Sequence, residues 1–505
     1  MLPVSEPPPI SKPKAVDILD RRHSYFASFK PYISLHHRRS WFFLGVVLLQ
    51  LLLILSAPSL PFSLYSAASQ SSRPAPALRN DPITSEESSI DGNSKAHAIN
   101  RNCPYGEVYV YELPPQFNSE IVKNCHNINP WSSRCDALSN AGFGRTAALE
   151  ISRIVPTNVS SAWFWTDQFS LEPIYHRRML NYRCRTLESA SAAAFYIPLY
   201  TGLALERPLF AQNSTAEERD RHCSLMLDWV SDQPSFKKSY GWDHFITMGR
   251  ISWDFRRSKG SDWGSSCIYK PKMRNITRLL IEKNPWDYFD VGVPYPTGFH
   301  PKSVSDVKIW QEFVGSRRRR TLFCFAGATR GFIKNDFRGI LLNHCYSEPG
   351  SCRVVDCGGS KCANGSSVIL DTFLHSDFCL QPRGDSFTRR SVFDCMLAGS
   401  IPVFFWHRTA YLQYEWFLPA EPGSYSVFID REAVKNGTSS VKAVLEKISR
   451  EKVKRMREKV IEHIPNIIYA NSDKGLEGGI KDAFDLAVEG VLKRIKFQEK
   501  GYKWK

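Results

Sequence analysis

Arginine and aspartate recur at close spacing in "LQPRGDSFTRRSVFDCMLAGSIPVFFW", Leu380–Trp406. Arg383, Asp385, Arg389, Arg390 and Asp394 stand between two apolar runs, "FCLQP" and "IPVFFW", that read as buried strands. Guanidinium groups fork onto phosphate oxygens, and a helix N-terminus offers unpaired N–H groups with partial positive charge. The spacing predicts a strand, a loop "RGDS", and a helix over "FTRRSVFDCMLAG" capped by Asp385 or Ser386 and ended by Gly399. Gly384 would let the backbone approach an anion, while Arg389 and Arg390 would supply forked donors. Asp394, four residues after Arg390, shares its face and could accept hydrogen bonds from ribose hydroxyls. A sugar nucleotide suits these groups. The plain alternative is an i,i+4 ion pair on a solvated helix, worth about 0.2–0.5 kcal/mol. The apolar strands on either side speak against it.

Such a loop needs strands to carry it. Segments "EVYVYEL", "AAAFYIPLY" and "HFITMGR" in the first half, and "TLFCFAG", "SDFCLQP", "IPVFFW" and "YSVFID" in the second, are apolar throughout. Helical spacing appears in "TDQFSLEPIYHRRMLNY" (Thr166–Tyr182, with Pro173 in its first turns), "DFRGILLNHC", "VKAVLEKI", "REKVKRMREKVIEHI" and "IKDAFDLAVEGVLKRIKF". Apolar strands alternating with helices predict parallel sheets covered on both faces. Two Rossmann-like halves joined near Lys308–Arg320 and facing a cleft are expected, with chemistry in the loops beyond the strands' carboxyl ends. The run "SRRRR", Ser316–Arg320, reads as an exposed linker.

Upstream lies one long hydrophobic run, Trp41–Ala57, whose single strongly polar residue is Gln50. It just suffices to span a bilayer. The first forty residues hold seven Lys/Arg against three Asp/Glu, with "HHRRS" abutting the run, so the positive-inside rule predicts a type II anchor. Residues 1–40 read as cytosolic tail, 41–60 as signal anchor, 61–102 as a Ser/Pro/Ala-rich stem, 103–315 as an N-terminal domain and 316–498 as a C-terminal domain. The formal net charge of +16 sits mostly beyond the anchor, where anionic small molecules or acidic surfaces are its partners and nucleic acid is not. All 13 cysteines lie there too, which predicts several disulfides with at least one cysteine unpaired. Cys345, Cys352, Cys357 and Cys362 lack a C-x-x-C pair and are expected as disulfides rather than zinc ligands. Sequons at Asn158, Asn213, Asn275, Asn364 and Asn436 are candidate glycosylation sites.

"PRGDSFTRRSVFDCMLAGSIPVFF", together with "VYVYELPPQFN", "DHFITMGRISWDFRR", "PYPTGFHP" and "FCFAGATRGF", resembles the exostosin-type glycosyltransferase family 47 from about Cys103 to Gln498. Within that family the chain resembles the plant xyloglucan galactosyltransferases, most of all those acting on the second xylose of the repeat. The resemblance implies a two-domain α/β GT-B fold in the Golgi membrane and an inverting mechanism. It implies UDP-galactose as donor, xyloglucan as acceptor, and association with other cell-wall glycosyltransferases. It places the donor site at Arg330, Arg383, Gly384, Asp385, Arg389, Arg390 and Asp394. Family members often have cysteine where this chain has Ser400, and several have arginine where it has Ser391, which leaves open whether Arg389 or Arg390 takes that arginine's part. Other UDP-sugars (galacturonate, arabinose or xylose) and a non-catalytic glycan-binding subunit are the alternatives.

No D-x-D triplet occurs in the chain, so arginine and backbone N–H groups, with no metal or other cofactor, are expected to neutralise the leaving diphosphate. Inverting transfer needs a base for the acceptor hydroxyl. Asp254, following a strand, is one candidate, with an ion pair to Arg256 or Arg257 as its alternative. Glu172 and His176, at i,i+4 on one helix, are a candidate base and orienter. His300 and the tryptophans Trp253 and Trp406, with Trp263 and Trp416, are candidate acceptor contacts, against core packing.

Overall fold

The computed structural model describes residues 103–330, 336–358, 362, 367–476 and 478–502 of the 505-residue chain. The cytosolic tail, anchor and stem and the sequon at Asn364 lie outside the described residues. No helix among the described residues is long and apolar enough to cross a membrane.

Two parallel sheets form an α/β fold. The first runs in the order β2-β1-β3-β4-β5-β6, with β1 Glu107–Val110, β2 Arg185–Thr186, β3 Ala192–Ile197, β4 His244–Ile251, β5 Thr277–Glu282 and β6 Asp290–Gly292. The second runs β11-β10-β9-β7-β8, with β7 Thr321–Gly327, β8 Cys352–Asp356, β9 Ser376–Gln381, β10 Ile401–Phe404 and β11 Val427–Phe428. Every pairing is parallel. This is the outcome that apolar runs such as "FITMG" and "LFCFAG" require, because a strand buried on both faces has no side for water.

One core runs through both halves, with Trp163, Phe299 and Trp310 packed together where the helix Val304–Ser316 bridges the sheets. The last helix, Ala483–Tyr502, returns to the first sheet. There Lys496 Nζ donates to the Pro104 carbonyl at 2.8 Å and Arg494 to the Tyr288 carbonyl at 2.7 Å. His300 ties the same seam. It is fully buried, its Nδ1 donates to the Tyr469 carbonyl at 2.7 Å, and its Nε2 lies 2.8 Å from Thr166 Oγ1.

The arginine run is an exposed linker at Ser316, Arg318 and Arg320, but not at Arg319. Arg319 turns inward and donates to the carbonyls of Phe373, Ser376 and Ala398 at 2.9, 2.9 and 2.7 Å and to Ser400 Oγ at 3.0 Å. A guanidinium satisfies the orphan carbonyls at the ends of helices Ser367–Leu374 and Ser391–Leu397. Gly399, at φ +67°, admits it where a Cβ would stand 2.9 Å from Arg319 Nη2. Ser400 closes the cage, its one hydroxyl proton shared between the Phe373 and Ser376 carbonyls at 2.6 Å each.

Twelve cysteines pair as Cys103–Cys184, Cys125–Cys135, Cys223–Cys267, Cys345–Cys352, Cys357–Cys362 and Cys379–Cys395. Cys324 remains a buried thiol within β7. Burial pushes this thiol up to about 12. A thiol titration with a chromogenic disulfide should therefore find no reactive group in the native protein and one per chain after denaturation without reductant. Two or more would break the pairing.

Candidate active site

A cavity of about 570 Å³ opens between the halves at the carboxyl ends of the strands. Ala326 and Gly327 at the end of β7, Ala328 just beyond it, and the loop Gly384–Ser391 after β9 wall it on one side. Asp167, Phe169, Arg134, Ile251 and Tyr295 wall it on the other.

The loop does not begin a helix where its sequence suggested. The helix covers only Ser391–Leu397, and Arg390, at its N-cap, makes no side-chain cap. Neither Asp385 nor Ser386 caps it, because the preceding turn is held elsewhere. Glu282, at the end of β5 in the other sheet, accepts hydrogen bonds from Ser386 Oγ (2.5 Å), Phe387 N–H (3.0 Å), Thr388 N–H (2.9 Å) and Thr388 Oγ1 (2.8 Å). These are the N–H groups that a longer helix would have presented to an anion. Burial raises the Glu282 pKa against the pull of the donors. Gly384 also has a different reason than an approaching anion. The loop folds back on itself there, and a Cβ would lie 2.2 Å from the Thr388 carbonyl oxygen.

Positive charge in the cavity comes from guanidinium groups. Arg389 donates from Nη2 to the Ala326 carbonyl at 2.9 Å, while its Nη1, shut off from solvent, has no partner among the described residues. Arg338, from the helix Phe337–Tyr346, donates to the Arg383 carbonyl at 3.3 and 3.2 Å. Arg330 is buried, with its Nη2 3.6 Å from Asp385 Oδ1 and its Nε without a hydrogen-bond partner among the described residues. Burial, together with mutual repulsion, lowers Arg389 to about 9 and Arg338 to about 10. Three guanidinium groups that oppose one another's charge, two of them with unfilled donors, form a site for a multiply charged anion.

Arg390 and Asp394 do form the i,i+4 pair, Nε to Oδ2 at 3.1 Å. Both nonetheless line the cavity, and Arg390 Nη1 reaches across to the Thr166 carbonyl. Arg390 thus ties the halves together, while Arg389 carries the unfilled donor. Burial raises Asp394 in spite of Arg390.

The other sequence candidates lie off the cavity wall. Asp254 is buried with Oδ2 on Arg250 Nε (2.8 Å) and Oδ1 on Trp263 Nε1 (2.9 Å), so its ion pair is with Arg250 and not with Arg256 or Arg257. Glu172 and His176 do not pair. Glu172 accepts the backbone N–H groups of Gly202 (2.6 Å), Leu203 (3.3 Å) and Gly249 (2.8 Å), and burial pushes it up to about 7. His176 bonds through Nδ1 to Tyr200 Oη at 3.0 Å, and burial lowers it to about 4. His300 serves the seam, and burial lowers it to about 3. Trp406 packs edge-on against Phe337 and under Arg431, Trp416 lies against Gly490 and Arg494, and Trp253 is half-buried outside the lining. Asn158, Asn213 and Asn436 are exposed, whereas Asn275 Nδ2 donates to the Tyr240 carbonyl at 3.1 Å.

Sequence reasoning missed Glu282, Arg338, Arg134 and Asp167. Only "DFRGI" carried a signal, since its helix was expected and Arg338 sits in that helix's first turn.

Residues 102–448 match the Exostosin GT47 domain family. The xyloglucan galactosyltransferase XLT2 of Arabidopsis thaliana is 56% identical over the full length of both chains. The xyloglucan galactosyltransferase MUR3 of the same plant is 39% identical over 78% of this chain and 64% of its own. Its xyloglucan-specific galacturonosyltransferase 1 is 38% identical over 78% of this chain and 58% of its own.

Glu282→Ala would leave four donors facing an emptied, buried space. A loss of about 2–4 kcal/mol in unfolding free energy is expected, with faster amide exchange at Phe387 and Thr388. Calorimetry and hydrogen exchange by mass spectrometry check this, and unchanged exchange there would refute the strap.

Proposed function

The chain is a glycosyltransferase of the exostosin GT47 family, and from that premise we propose that it moves galactose from UDP-galactose to xylosyl side chains of xyloglucan, with inversion. The full-length likeness to a xyloglucan galactosyltransferase supports donor and acceptor alike. The observation that carries the reading is the pair of opposed guanidinium groups Arg338 and Arg389 on the cavity wall, with Arg330 buried beside Asp385 and adding its charge from outside the lining. The paired parallel sheets and inter-half cavity are in keeping with a GT-B arrangement.

In this reading the cluster takes the UDP diphosphate. Charge develops on the leaving β-phosphate oxygen as the anomeric bond breaks, and donors already held in place there lower the barrier. Arg389 Nη1 is free to do so without giving up a bond. Asp394, raised by burial, is placed to meet ribose hydroxyls. Arginine replaces a metal, so no divalent ion is required. Cavity-lining Tyr295, whose Oη lies 2.9 Å from Thr388 Oγ1, helps hold the donor loop in place. The basic N-terminus and apolar run support a single-pass type II anchor in the Golgi membrane with the catalytic part luminal.

The galacturonosyltransferase relative makes UDP-galacturonate the sharpest competitor as donor. Purified luminal protein, incubated with xyloglucan oligosaccharides and each of UDP-galactose, UDP-galacturonate, UDP-arabinose and UDP-xylose, should give product with UDP-galactose, unaffected by chelator. Linkage analysis should find galactose on xylose, and turnover with another sugar alone would replace the donor. Arg389→Met should weaken UDP binding about 10–100-fold in calorimetry. Retained UDP affinity would move the diphosphate elsewhere.

A further inference from the structure

Among the described cavity-lining residues, the first half contributes one carboxylate, Asp167, and we infer that Asp167 is the base that takes the acceptor hydroxyl's proton. The inference rests on the transferase reading above and names the group that completes it.

Asp167 is held at its post from three directions. Its Oδ2 accepts Arg134 Nη1 at 3.0 Å and its Oδ1 accepts the Phe169 N–H at 2.8 Å, which leaves each oxygen a further lone pair. The preceding residue, Thr166, is fixed through its side chain by His300 and through its carbonyl by Arg390. Because Arg390 belongs to the donor loop, its grip on Thr166 puts the carboxylate one residue from the wall that would carry the sugar nucleotide. A base must sit where the attacking oxygen passes and on the far side of the anomeric carbon from the leaving group. Arg338 and Arg389, from the second half, and Asp167, from the first, line the one cavity.

The other acids are spoken for. Asp394 pairs with Arg390 on the donor wall, and Asp385 lies beside Arg330 with its side chain 70% exposed. Asp254 has both oxygens engaged behind the wall. Asp254 is linked to Asp167 through three intervening residues. Arg134 joins Asp167 to Glu206 (Nε to Oε1, 2.7 Å), Glu206 Oε2 lies 3.9 Å from Arg250 Nη1, and Arg250 holds Asp254. The row of alternating charges fixes Arg134. Burial opposes its charge, but Asp167 and Glu206 outweigh that and raise its pKa.

The step balances. The acceptor oxygen bonds to the donor's anomeric carbon as that carbon's bond to the β-phosphate oxygen breaks. The bonding pair leaves with UDP towards the guanidinium groups, and the hydroxyl proton passes to an Asp167 oxygen. The carboxylate shares the cavity lining with Arg134 from its own half and with Arg338, Arg389 and Arg390 from the other.

Asp167→Asn keeps the shape and the Phe169 hydrogen bond. It should lower kcat for galactosyl transfer at least 100-fold while UDP binding by calorimetry stays within about threefold. Asp167→Glu should retain more activity than the asparagine variant and move the acid limb of the kcat/KM–pH profile. Arg134→Met, which removes the donor that orients the carboxylate, should lower kcat about tenfold or more with UDP affinity unchanged; this reads the role even if the asparagine variant fails to fold. An asparagine variant that binds UDP and keeps kcat within about tenfold of wild type, or an unchanged kcat in Arg134→Met, overturns the assignment. Wild-type protein run in parallel separates the two readings. If it turns over only another UDP-sugar, the donor proposal falls and the base is tested with that sugar.

Discussion

A buried carboxylate at the end of one sheet organises the active loop of the other. Glu282 comes from β5, yet its four hydrogen bonds all go to Ser386, Phe387 and Thr388 beyond β9. Unlike a surface ion pair, such an arrangement is costly to break, because removing the acceptor strands donors away from water. It also decides what the loop can offer a ligand. With Phe387 and Thr388 N–H turned to Glu282, the helix that follows starts three residues later, and the cavity's positive character rests on side chains rather than on a helix dipole. Arg408, stacked on Phe387 at 3.7 Å and on Trp286 at 4.6 Å, covers the loop's outer side.

Holding three guanidinium groups within reach of one another costs stability, and the structure places compensation directly beneath them. The disulfide Cys379–Cys395 fastens β9 to the helix Ser391–Leu397. Arg319 closes the far end of that helix with hydrogen bonds to carbonyl groups. The loop is therefore clamped before and after by bonds that do not involve ligand. Arg389 keeps a donor unfilled among the described residues within this clamped loop. Preorganised charge of this kind is what a site for a developing diphosphate needs.

The sheet framework was legible in the sequence wherever strands are apolar throughout. β7 coincides with "TLFCFAG" and β9 with "SDFCLQ", because burial on both faces leaves a continuous signal. β5 was missed for a physical reason. Its "TRLLIE" carries Arg278 and Glu282, residues that normally mark a surface, but Arg278 is buried against Asp290 and Asp287 at 2.6 and 2.7 Å. The candidate site was legible on its donor side, where chemistry is concentrated in one stretch. Its other wall was not, since Arg134 and Asp167 meet only through folding and no local spacing announces them. The same limit applies to Arg319. A run of four arginines looks solvated until the carbonyl ends of two helices are brought to it.

The two adjacent arginines show how far local sequence can go. By type and position Arg389 and Arg390 are interchangeable, and the sequence left open which of them would meet an anion. Ser391 itself donates to Gln381 Oε1 at 2.7 Å and accepts Gln381 Nε2 through its carbonyl at 3.2 Å, locking the helix start to the end of β9. With that start fixed and the Glu282 strap just before it, residues 389 and 390 must leave the backbone in different directions. Arg389 turns towards β7 and the cluster, and Arg390 turns across the seam to Thr166. One cation is left for the anion and the other is spent on holding the opposite wall in register. The division of labour comes from a carboxylate more than a hundred residues upstream, and it places the wall bearing Asp167 against the wall bearing the guanidinium groups.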